Sequence, residues 1–101
     1  MKVSAKQNRD NLYIYLQGEI DQSVTKELRV RIDDFIAKAN VKKVILNMKE
    51  LTFLDSSGIG LILGRYKKLL SEHISLFITE PNSQIDKVLK ISGIYNIIPL
   101  I

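Results

Sequence analysis

The feature that most constrains this chain is a change of hydrophobic period. Leu12 to Gln17 alternates strictly: Leu12, Ile14 and Leu16 point one way, Tyr13, Tyr15 and Gln17 the other. That period of two is a half-buried strand. From Asp21 the period lengthens, and Val24, Leu28, Ile32, Phe35, Ile36 and Ala39 form one helical stripe. Asp21 is suited to cap that helix, with Lys38 in its last turn and Asn40 as a left-handed exit. Val44 to Met48 is a short apolar run, expected as a central buried strand, and Lys49-Glu50 reads as a polar break after it.

The rest of the chain follows the same logic. Val3 to Lys6 is a short strand, joined to Leu12–Gln17 by a polar turn at Gln7–Asn11, and Gly18 ends the hairpin. A second helix is expected from about Ser57 to Leu70, with Ile59, Ile62, Leu63, Tyr66, Leu69 and Leu70 on its core face. Ile74 to Thr79 is the next strand, stopped by Glu80-Pro81-Asn82. Ser83 and Asp86 have capping-box spacing before a third helix carrying Ile85, Val88 and Leu89. Gly93 suits its C-cap, and Ile94 to Ile98 is expected as a last strand. The predicted order is β-β-α-β-α-β-α-β in a single domain, residues 1–101. Parallel crossovers need helices, and three are available. One apolar stripe per helix implies an α/β fold, a mixed sheet with helices packed mainly on one face.

Composition narrows the function. Of 101 residues, 46% are apolar, enough for a packed core. No run of eighteen apolar residues exists, so no membrane span is expected, and MKVSAKQNRD lacks the apolar segment of a signal peptide. Cysteine is absent, which removes thiol chemistry and fits the cytoplasm. His73 is the one histidine and cannot build a metal cluster. The net charge is +4, but the basic residues are scattered and no tryptophan is present to stack on bases, so nucleic acid is not an expected partner.

The segment that asks for a function is TFLDSSGIGLILGRY, Thr52 to Tyr66. Ser56 can cap the helix that follows, and Asp55 can do similar local work. A cap does not require the second serine. Projected at 100° per residue, Ser57, Leu61, Gly64 and Lys68 share the face away from the core stripe. Leu61 is therefore expected to be exposed, and Gly64 costs about 1 kcal/mol of helix propensity relative to alanine. Together they suggest a docking face around a modifiable hydroxyl. A phosphate on Ser57 gains from first-turn amides and the positive helix end, yet adds roughly −1.5 to −2 charges beside Asp55. Local structure tolerates the modification while a partner rejects it.

Catalysis fits less well. A serine nucleophile needs a base, and His73 lies beyond the far end of the helix. DSSGIG lacks the glycine of a nucleophile elbow, and no P-loop lysine follows it. Asp21 and Asp55 both sit at strand-to-helix junctions that can share one sheet edge, and a small ligand-binding or catalytic site there is the one alternative of a different class.

LQGEID (16–21), VILNMKELTFLDSSGIGLILGRYKKL (44–69) and ISGIYNII (91–98) together resemble the STAS domain family, in particular the bacterial anti-sigma factor antagonists. The resemblance implies a STAS-like mixed sheet and an anti-sigma factor that is itself a serine kinase. It implies that the kinase phosphorylates Ser57, the serine before the motif glycine, and that a serine phosphatase restores the protein. Asp55 and Ser56 match the motif residues before it, and Asp21 matches an acid near the kinase contact surface. No cofactor of the chain's own is implied. A STAS scaffold within a stress-signalling assembly is the alternative inside the same family. Where relatives often carry a glycine pair after the second helix, this chain has Ser71-Glu72-His73.

Overall fold

A computed structural model describes residues 1–101. Four strands form one sheet in the order β1-β2-β3-β4: β1 Lys2–Asn8, β2 Asn11–Ile20, β3 Lys43–Leu54 and β4 Ser75–Thr79. β1 and β2 are antiparallel, with Val3 opposite Leu16 and a turn at Arg9-Asp10. β2–β3 and β3–β4 are parallel. Helix α1, Thr25–Ala37, makes the first crossover, and α2, Ser56–Ser71, makes the second. Helix α3, Ser83–Ser92, follows β4.

The alternation read from the sequence orients the sheet. Leu12, Ile14 and Leu16, Val44, Leu46 and Met48, and Leu76 and Ile78 join Leu28, Ile32 and Ile36 of α1, Ile62 and Leu69 of α2, and Ile85 and Leu89 of α3 in one core. Full burial of each such side chain contributes about 1.5–3 kcal/mol. That outweighs the propensity cost of about 1 kcal/mol at each of Gly60 and Gly64, so α2 forms despite its glycines. On the opposite face Tyr13, Ile45 and Phe77 occupy one row across three strands. Ile45 is buried but stands outside the main core, and Tyr15 and Gln17 are exposed. The helices cover mainly one face, as expected.

Several boundaries differ from the sequence reading. β2 does not end at Gly18. It continues to Ile20, with Gly18 at φ +113° beside a register irregularity with β3. A positive φ suits glycine, and a bulge lets the strand go on. β3 passes through Lys49-Glu50, because Leu51 and Leu54 beyond them are buried and hold the strand in the sheet. Asp21 does not cap α1. Its Oδ1 accepts from Ser23 N and Ser23 Oγ, and α1 starts after Val24 with no side-chain cap. Lys38 sits at the α1 C-cap in a right-handed conformation, and Asn40 is not left-handed. Asn82, rather than Ser83, caps α3 by accepting from Ile85 N at 2.9 Å. The Asp86 carboxylate instead receives the Tyr95 hydroxyl at 2.7 Å.

The last expected strand is a 3₁₀ turn, Ile94–Asn96. Gly93 at φ +78° closes α3, as predicted, and Asn96 N then bonds Gly93 O. Ile94 and Ile98 are buried while Asn96 between them is exposed, a pattern that a turn satisfies and an alternating strand, with 94, 96 and 98 on one face, does not. Beyond it Leu100 bridges Ile78 in parallel: Ile78 N donates to Pro99 O and Ile101 N to Ile78 O. At the other side of the sheet, Arg31 of α1 donates to Val3 O of β1 at 3.0 Å.

Candidate functional site

The two parallel strands β2 and β3 end together, with Ile20 in register with Leu54. Asp21 and Asp55 therefore emerge at the same sheet edge, and Asp55 N donates to Ile20 O at 3.3 Å. That juxtaposition was expected from the sequence. The β3–α2 junction is tight. Asp55, extended at φ −109° and ψ −172°, is the N-cap residue, and its Oδ1 accepts from Ser57 N at 3.0 Å and Gly58 N at 3.2 Å. Ser56 is thus the first helical residue and exposed, not the cap. The aspartate wins because its carboxylate reaches two orphan amides of the first turn at once.

Ser57 donates its hydroxyl proton to the same Asp55 oxygen at 2.5 Å. This hydroxyl holds the Asp55 carboxyl below its ordinary value. Desolvation opposes that effect, and the Gly58 and Ser57 amides reinforce it. Ser57 is half-buried. Gly58 explains why a glycine must follow: a Cβ there would stand 2.3 Å from Leu54 Cδ1 and 2.9 Å from Ile20 Cγ2. The first turn of α2 thus lies directly on the two strand ends, and this fixes the height at which Ser57 is presented.

The exposed face predicted for α2 is in part an interhelical face. Leu61 is only 9% exposed. With Ser57, Gly60, Gly64 and Arg65 it lines a groove of about 380 Å³ against Thr25, Lys26 and Arg29 of α1. The expectation of an exposed Leu61 is corrected: α1 packs beside α2, and a neighbouring helix leaves no mark in the period of α2 itself. Conversely, Leu70, assigned to the core stripe, is 57% exposed. Lys68 is exposed and lies 3.5 Å from Asp33 of α1, which also takes Arg65 at 2.7 Å. Gly60 and Gly64 have nothing within 4 Å of where a Cβ would stand, so packing does not require them; they keep the groove open.

Asp21, Asp55, Ser56 and Ser57 lie at one end of the sheet, and Gly64 lines the groove two turns further along α2. Sequence reasoning missed Lys26 and Arg29, which the fold brings against α2. Their spacing of three on a predicted helix, off the apolar stripe, was the available signal. No cluster of three metal-ligating side chains exists in the chain. No helix is long and apolar enough to cross a membrane.

A strand end that delivers an Asp-Ser-Ser-Gly turn onto a helix, within a mixed sheet covered on one face, defines a class of small α/β interaction domain. The chain belongs to the STAS domain family, whose pattern matches residues 2–101. An anti-sigma F factor antagonist of Paenibacillus polymyxa is 30% identical over 100 residues, covering 99% of this chain and 86% of its own length. Another from Lysinibacillus sphaericus is 34% identical over 86 residues, covering 85% and 74%. The anti-sigma factor antagonist SpoIIAA in its unphosphorylated form superposes with a TM-score of 0.80 at 29% identity, covering 99% of this chain and 88% of that one. The phosphorylated form of the Bacillus SpoIIAA gives a TM-score of 0.71 at the same identity, covering 99% and 91%.

Proposed function

We propose that this chain is a phosphorylation-controlled anti-sigma factor antagonist, acting as a single STAS unit in the cytoplasm. The observation that carries the reading is Ser57: a half-buried hydroxyl in the first turn of α2, bonded to Asp55 and bordering an open groove. The likeness to anti-sigma F factor antagonists supports it. Unphosphorylated, the protein binds an anti-sigma factor that is a serine kinase, and the sigma factor is freed. The kinase transfers the γ-phosphoryl group of ATP to Ser57 Oγ, releasing ADP and the hydroxyl proton. The product carries a dianion where the partner made contact, and the complex separates. A serine phosphatase returns the hydroxyl.

The chain's own residues position and do not catalyse. Asp55 orients Ser57 and anchors the first turn, and Asp21 lies at the neighbouring strand end. Ser56 is the exposed neighbour, and Gly64 and Lys68 continue the edge along α2. Leu61 belongs to this surface as the floor of the groove, where it also supports the fold. His73 follows α2 at its far end, and the group that touches the Ser57 hydroxyl is the Asp55 carboxylate, whose lowered pKa makes it a weak base.

The test is incubation with the partner kinase and ATP, then mass-spectrometric mapping of the phosphate. Modification at Ser57 is expected, and phosphate confined to another residue overturns the assignment. Ser57→Ala should bind the kinase without being switched, and Ser57→Asp should bind it poorly. Recovery of scaffold proteins with no kinase, in a pull-down from native lysate, would favour a stress-signalling scaffold instead.

A further inference from the structure

The inference rests on Ser57 as the modified residue and concerns where its phosphate goes. In the unmodified chain the Ser57 hydroxyl donates a hydrogen bond to Asp55 Oδ1. A phosphate ester on that oxygen has no such proton. It also brings roughly −1.5 to −2 charges beside a carboxylate held in its ionised form. The bond that fixes the side chain is lost and replaced by repulsion, so the side chain turns away from Asp55 into another staggered rotamer.

Ser57 also lines the groove between α1 and α2. Its cations are Lys26 and Arg29 from α1 and Arg65 from α2. Arg65 is engaged by Asp33, whereas neither Lys26 nor Arg29 has a carboxylate within ion-pair distance. Gly60 and Gly64 leave the α2 wall without side chains, and no packing demand explains either one. The two nearby acids at the strand ends, Asp21 and Asp55, already accept bonds from Ser23 and Ser57. The groove therefore offers one phosphate-sized anion two unpaired cations, open space and a short path from Ser57.

We infer that the α1–α2 groove is a phosphate-binding site in which Lys26 and Arg29 hold the phosphate of modified Ser57, tying the switched-off form of α2 to α1. Arg29 offers a planar fork of donors to the phosphate oxygens, and Lys26 offers a mobile point charge. The clamp withdraws the phosphate from solvent and slows its removal, so the basic groove sets how long the modified state lasts.

The test uses the full chain with phosphoserine installed at position 57 during synthesis, independent of any kinase. The ³¹P shift is followed against pH for this protein and for its Lys26→Gln/Arg29→Gln variant. Charges facing the phosphate are Asp55 and Asp21 from the strand ends, Lys26 and Arg29 from α1, and Arg65 from α2. The second phosphate ionisation should fall by about half a unit or more relative to a short phosphoserine peptide. The double variant should return it toward the peptide value, and about 1 M salt should shrink the difference. A broad-specificity phosphatase should release phosphate several-fold faster from the double variant. Lys26 and Arg29 are both exposed, so the variant should fold normally, which its thermal midpoint checks. Identical titrations and equal release rates in the two proteins overturn the clamp, whatever the kinase assay finds. Failure of the kinase to modify Ser57 overturns the proposed function instead.

Discussion

Asp21-Gln22-Ser23 and Asp55-Ser56-Ser57 are the same local device used twice, side by side. In each, an aspartate leaves the end of a parallel strand and its Oδ1 accepts from the amide and hydroxyl of the serine two residues on. The amide bonds are 2.9 and 3.0 Å, and both hydroxyl bonds are 2.5 Å. The difference lies one residue later. After Ser57 comes Gly58, whose amide also reaches Asp55, so the chain enters α2 at once. After Ser23 comes Val24, whose amide turns back to Asp21 O, and α1 begins only at Thr25. A Cβ at position 58 would collide with Ile20 and Leu54. The glycine therefore lets the chain after Ser57 lie against the two strand ends as it enters α2.

That contrast can be broken at its strongest point first. Gly58→Ala should destabilise the protein by about 1–3 kcal/mol through overpacking, measured by urea denaturation. Val24→Ala, at the matching place in the other junction, should cost less, because it only trims a half-buried side chain at the margin of the core. Equal costs at the two sites would mean that the close approach of Gly58 has no special weight.

A smaller effect separates the two acids. Asp55→Ala removes the partner of two first-turn amides and should lower the thermal midpoint clearly. Asp21→Ala opens a turn outside any helix and should lower it less. If Asp21→Ala is the more damaging, the cap has been assigned to the wrong junction.

The smallest effect is one of pH. The Asp55 carboxyl is depressed in the folded chain, chiefly by the Ser57 hydroxyl, so its stabilising effect is complete above the unfolded value of about 3.9. It is lost as pH falls below that value toward the folded one. The stability gap between the wild type and Asp55→Asn should thus be constant near neutral pH and close below about pH 4. Asparagine still accepts the amide bonds, so the pH-dependent part isolates the charge. A gap that widens on acidification would contradict the sign of this effect.

What could be read from the chain divides along physical lines. The alternation at Leu12–Leu16 and the stripes of the three helices report burial, and burial dominates the fold, so strands, helices and the covered face were legible. Ends were less so. Asp55 and Ser56 are both good caps in sequence, and only the backbone bend at Asp55 selects between them. Ile94 and Ile98 are apolar enough for a strand, but Gly93 starts a 3₁₀ turn that takes in Ile94 and leads to Ile98. Leu61 marks the deeper limit. A helical wheel describes one helix against one core, whereas Leu61 is covered because α1 lies alongside. For the same reason the site was half legible: Asp55, Ser56 and Ser57 are contiguous in the chain, while Lys26 and Arg29 join them only in three dimensions.

The short bridge between Leu100 and Ile78 has a consequence for self-association. A sheet edge offers unpaired amides and carbonyls on which a foreign strand can template. At β4 that opportunity is taken by Pro99–Ile101: Ile78 exchanges bonds with this segment at 3.0 and 2.9 Å, and Thr79 Oγ1 donates to Ile101 O at 3.0 Å. An added strand would have to expel it first. The β1 edge is guarded differently, by Arg31 on the Val3 carbonyl and by the charged Lys2 and Lys6. Loosening Pro99–Ile101 would therefore open the β4 edge to a foreign strand while leaving α1, α2 and the Ser57 junction in place.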